Sequence, residues 1–150
     1  MYRLAFLFLL AIAISPEGHA QKPESEIACY AGQEGNAPHK KKLWDGYEIS
    51  LGPVAHPEET ELQCTAAIYK KAGKVVFRTS GFNVVFDEEL TGEDFDGDGK
   101  PEVVFRTDTG GGVHCCWGYI VVSPSPRPHK LFEMPIEGKV DFEKSKDGKW

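Results

Sequence analysis

Short runs of β-branched and aromatic residues, separated by glycine, proline and charged clusters, set the pattern of this chain. The runs are Ile27 to Tyr30, Tyr47 to Leu51, Cys64 to Tyr69, Val75 to Thr79 and Phe82 to Phe86, then Glu102 to Thr107, Tyr119 to Ser123, Leu131 to Met134 and Val140 to Phe142. Such runs bounded by turn residues predict β-strands. Lys70-Lys71-Ala72-Gly73-Lys74 lies between two of them and predicts a hairpin with glycine in its turn. From Ala31 to Trp44 the chain contains Gly32, Gly35, Asn36 and Pro38 and reads as a loop. Beyond residue 20, no stretch shows the apolar spacing of a four-turn amphipathic helix. The expectation is an all-β fold, a small antiparallel β domain.

The first twenty residues have a different pattern. Met1-Tyr2-Arg3 gives a positive start and Leu4 to Ile14 is apolar; Gly18 and Ala20 then occupy the −3 and −1 positions of a cut before Gln21. This is the pattern of a secretory signal peptide over 1–20, because the apolar run is too short to span a bilayer. The remaining 21–150 is expected to form one domain, secreted or periplasmic, with no membrane span. Its formal net charge of −6 argues against nucleic acid as a partner. The one basic cluster, Lys40-Lys41-Lys42 beside His39, reads as a solvated loop.

Four cysteines, Cys29, Cys64, Cys115 and Cys116, follow the leader. An even count in an exported chain predicts disulfides, with three possible pairings. Neighbours on a strand point to opposite faces. Cys115 and Cys116 are therefore expected each to reach a distant partner, Cys29 and Cys64, in an order the sequence leaves open. Zinc held by His114 and Cys116 with Cys29 or Cys64 is the competing use of these residues. Export and the lack of a C-x-x-C pair weigh against it.

The chemistry concentrates in Asp94-Phe95-Asp96-Gly97-Asp98-Gly99-Lys100-Pro101-Glu102. Carboxylates alternate here with glycines that let a short loop curl. Counting upstream to Asp87, seven carboxylates fall between residues 87 and 98. Ca²⁺ takes about 6–8 oxygen ligands, and such a loop can supply several of them. The alternative use is an acidic turn whose Asp side chains bond only to backbone. An EF-hand would carry Glu at the twelfth position, which is Phe105, and a strand-like run replaces the exiting helix.

The same residues, with Val103-Val104-Phe105 behind them, resemble the calcium loop and following strand of an FG-GAP/VCBS repeat. The resemblance covers about a dozen residues and a single copy. It departs from the family in having Glu102 where Asp is more usual. It implies Ca²⁺ as cofactor, with Asp94, Asp96, Asp98 and Glu102 as side-chain ligands and Lys100 giving its carbonyl. Those repeats form blades of integrin-like β-propellers, which need at least four blades of about 40–50 residues. The 130 residues after the leader are too few. The chain is therefore expected to be either a fragment of a longer protein or a small β domain holding one repeat.

No G-x-S-x-G or H-E-x-x-H is present, and paired cysteines would leave no thiol nucleophile. The sequence thus favours binding or structural support over catalysis, for an extracellular or periplasmic protein or glycan as partner. A non-catalytic portion of a longer exported hydrolase is the alternative. Trp44, Trp117 and Trp150, with Tyr30, Tyr47, Tyr69 and Tyr119, are candidates for a sugar-stacking platform, though aromatics on strands more often pack in cores.

Overall fold

A computed structural model describes residues 26–32, 37–56, 62–70, 73–108, 110, 117–124, 128–134, 142–146 and 150. The leader at 1–20, Cys115 and Cys116 lie outside the described residues. Among the described residues the strands are β1 (Ala28–Cys29), β2 (His39–Lys42), β3 (Glu48–Pro53), β4 (Cys64–Lys70), β5 (Lys74–Gly81), β6 (Asn83–Phe86), β7 (Val103–Asp108), β8 (Trp117–Ser123) and β9 (His129–Met134). They form two antiparallel sheets, a five-stranded one in the order β1-β6-β7-β8-β9 and a four-stranded one in the order β2-β3-β4-β5. The expected all-β class holds, as a small antiparallel domain. No described helix is long and apolar enough to cross a membrane.

Strand alternation builds the core between the sheets. Val84, Phe86, Val103, Phe105, Ile120 and Val122 from the five-stranded sheet meet Ile49, Leu51, Ala66 and Ile68 from the other. Tyr47 joins this core, and its hydroxyl donates to the Pro124 carbonyl at 2.7 Å. The residues between the inward ones in the five-stranded sheet are buried as well: Val85, Val104 and Val121 are at most 1% exposed. That sheet is therefore covered on both faces, which is why its strands read as unbroken apolar runs.

The chain returns from the four-stranded to the five-stranded sheet between β5 and β6. A Cβ on Gly81 would lie 2.8 Å from the Asn83 carbonyl and 3.2 Å from that of Asp108, so only glycine fits this corner. In the strand registers Cys64 pairs with Gly81, and Cys29 pairs with Val84, three positions further on. The corner brings the two cysteines together, and they form a disulfide with Cα atoms 5.7 Å apart. This corrects the expected pairing: neither Cys115 nor Cys116 is joined to Cys29 or Cys64. It also removes Cys29 and Cys64 as thiolate ligands for zinc.

A second correction concerns His39–Lys42. This segment, expected within a loop, is a strand at the edge of the four-stranded sheet, paired along its length with β3. Its lysines lie at the surface, and Lys41 reaches Glu88 at 2.6 Å.

Candidate metal centre

The acidic loop joins β6 to β7. Its base is closed by backbone bonds from Gly92 N–H to the Glu102 carbonyl at 2.9 Å and from Glu102 N–H to the Glu93 carbonyl at 2.8 Å. Thr91 Oγ1 accepts from Val104 N–H and ties the approach to β7. Above this base the side chains fold inward onto their own backbone. Asp94 Oδ1 accepts from Gly97 and Asp98 N–H groups at 2.7 and 3.1 Å, and Asp94 Oδ2 accepts from Gly99 N–H at 2.9 Å. Asp96 Oδ1 accepts from Asp98 N–H at 3.0 Å. Gly97 and Gly99 have φ of +77° and +81°, the left-handed region that glycine enters without strain.

Glu102 completes the group from below. Placed immediately before β7 it is fully buried, and its Oε2 accepts from Phe95 N–H at 2.7 Å. Its other oxygen, Oε1, has no hydrogen-bond partner. Burial pushes the Glu102 carboxyl above its ordinary value; the Phe95 N–H and the Ser123 hydroxyl oppose this, and the Asp96 and Asp94 charges add to it. One oxygen from each of Asp94, Asp96 and Glu102 can lie within 4.8 Å of the others. This triad can hold a metal ion.

The Asp98 side chain stands apart from it. Asp98 Oδ1 accepts from Lys100 N–H at 2.8 Å, and its Oδ2 pairs with Lys100 Nζ at 3.0 Å. The Lys100 ammonium holds the Asp98 carboxyl below its usual range. Of the five nominated donors, the structure gathers three carboxylates and turns the fourth toward a lysine. The upstream acids are also shared out. Glu88 pairs with Lys41, Asp87 lies 3.4 Å from Arg106, and Glu93 pairs with Lys144 at 2.6 Å.

Beneath the loop, Phe95 enters an aromatic group that sequence spacing did not reveal. Its ring lies 5.0 Å from Trp150, 5.8 Å from Phe142 and 6.2 Å from Phe132 of β9, and Phe142 lies 4.9 Å from Tyr119 of β8. Tyr119 shares a face of the sheet with Val121 and lies opposite to the core, so this group covers the outer side of the five-stranded sheet. Lys144 Nζ sits 4.6 Å above the Trp150 ring while it pairs with Glu93. A cavity of about 310 Å³ opens beside the loop, lined by Asp94, Phe95, Asp96, Gly97, Glu93, Lys144 and Trp150. Trp150 alone of the three tryptophans borders it. Comparison with family models, curated proteins and solved structures finds no match.

Proposed function

We propose that this protein is an exported, disulfide-stabilised β module that binds calcium in the 94–102 loop and serves a binding or structural role of the FG-GAP/VCBS type. The observation that carries the calcium assignment is Glu102 Oε1. A buried carboxylate oxygen with no hydrogen-bond partner, on a residue whose carboxylate lies close to two others, is costly. A divalent cation resolves that cost directly. Oxygen-only donors suit a hard ion, and Mg²⁺ is the poorer fit because it demands a tight octahedron and releases its waters reluctantly. The Cys29–Cys64 bridge supports an oxidising destination, where such bonds persist.

The test is calorimetry and thermal melting of the exported form, with millimolar Ca²⁺ or chelator. A site of about 10⁻⁴ M in about 1 mM Ca²⁺ adds about 1.4 kcal/mol. Glu102→Gln is expected to raise the melting point in chelator, since it removes a buried charge, and to abolish the calcium response. Asp96→Ala loses the response as well, whereas Asp98→Asn keeps most of it. A wild-type midpoint unmoved by Ca²⁺, with no heat of binding, refutes the assignment.

A further inference from the structure

We propose that the cavity beside the loop is a sugar-binding subsite in which adjacent hydroxyls of a neutral glycan complete the coordination of the loop-bound calcium. The proposal rests on the calcium assignment above and adds its ligand class. Three observations point the same way.

The first is the donor count. Ca²⁺ takes about 6–8 oxygens, more than three carboxylates give when each binds through one oxygen. Glu102 closes the buried side of the triad, while Asp94 and Asp96 are the two members that border the cavity. Coordination positions left by the protein therefore face the cavity.

The second is size and wall chemistry. At about 310 Å³ the space is at the small end of ligand pockets and exceeds what one ion needs. Phe95 and Trp150 supply an apolar wall, while Glu93 and Lys144 supply an acceptor and a donor. A pyranose ring presents both kinds of surface, with C–H groups on a face and hydroxyls at the edge. The wall is braced from behind, since Phe142 contacts both the Phe95 and Trp150 rings.

The third is charge. Glu93, Asp94 and Asp96 line the cavity and Glu102 lies below, against one Lys144 ammonium. A divalent ion brings the group near neutrality but leaves it on the negative side. An anionic ligand is disfavoured, and a neutral polyhydroxyl one is not.

The experiment is titration of the full exported chain with methyl α-mannoside, methyl β-galactoside and galacturonate, in millimolar Ca²⁺ and in chelator, with a calcium titration run alongside. At least one neutral glycoside is expected to bind at about millimolar affinity, the range open to so small a ligand. Chelator is expected to weaken it by about tenfold or more. Trp150→Ala is expected to cost about tenfold in glycoside affinity and to leave the calcium affinity within about twofold. Calcium binding without binding of either neutral glycoside overturns the subsite and leaves the metal site standing. Equal glycoside binding in chelator, or tighter binding of galacturonate than of both glycosides, also overturns it. A protein that takes up no calcium loses both readings at once, and the parallel titration identifies that case.

Discussion

The two sheets solve the same burial problem in different ways. The four-stranded sheet alternates, with Ile49, Leu51, Ala66 and Ile68 turned to the core and residues such as Glu48, Ser50 and Thr65 turned away from it. The five-stranded sheet buries both faces, against the other sheet on one side and beneath Phe95, Phe142 and their neighbours on the other. Only the second arrangement leaves a chain segment free to be both cover and site. The loop that carries Asp94 and Asp96 also carries Phe95, so the carboxylates are seated by a ring that packs below them. A cation drawn to Glu102 acts on the same Phe95 backbone group.

The largest expected effect tests whether the inter-sheet core is the cooperative unit. Phe105 is fully buried between the sheets and meets Phe86 edge-on at 6.2 Å. Phe105→Ala is expected to cost about 3–5 kcal/mol in urea unfolding, with both sheets melting together. A mutant that loses only the loop would break the comparison.

Next is the bridge that ties β1 of one sheet to β4 of the other. It closes a separation of 35 residues, and replacing both Cys29 and Cys64 by Ala is expected to cost about 2–5 kcal/mol. Peptide mapping should find Cys29 joined to Cys64; a fragment joining either to Cys115 or Cys116 would refute the corner geometry.

The smallest effect belongs to the outer layer. The folded chain raises the Glu102 carboxyl above its unfolded value, so without metal the folded state holds this proton more tightly. That contribution favours folding at acid pH and is lost as pH rises through the folded value. Other carboxylates slope the opposite way, so the informative quantity is the difference between wild type and Glu102→Gln in chelator. The wild type should lose ground to the variant as pH climbs from about 4 to neutrality. In calcium the order reverses, because the ion needs the ionised form. A flat difference in chelator would mean that Glu102 is better solvated than its burial implies.

Much of the fold was legible because Val84-Val85-Phe86, Val103-Val104-Phe105 and Ile120-Val121-Val122 leave little but strand to form. Three lysines gave no such signal, and β2 exists because β3 offers it a ladder; pairing overrode propensity. The loop announced itself by its Asp and Gly spacing. Which carboxylates converge did not follow from spacing, since Glu102 is inward only because β7 is buried on both faces. Asp98 is turned aside by Lys100, a competition between a lysine and a hypothetical ion that spacing cannot weigh. Lys144 and Trp150 lie some fifty positions from the loop, and nothing periodic links them to it. The cysteine expectation failed for a topological reason: a glycine corner, not the facing of Cys115 and Cys116, set the partners.

Among the described residues the lysine strand forms an edge of the four-stranded sheet, with a consequence for the protein in bulk solution. An unpaired strand edge is a template for a second copy, and closely spaced ammonium groups make two such edges repel. That repulsion reaches about 10 Å at 0.1 M salt and about 3 Å at 1 M, against a spacing of about 4.8 Å between paired strands. Concentrated salt therefore screens the guard at the distance where pairing begins. Self-association through His39–Lys42 is therefore expected to rise with ionic strength while the fold stays the same.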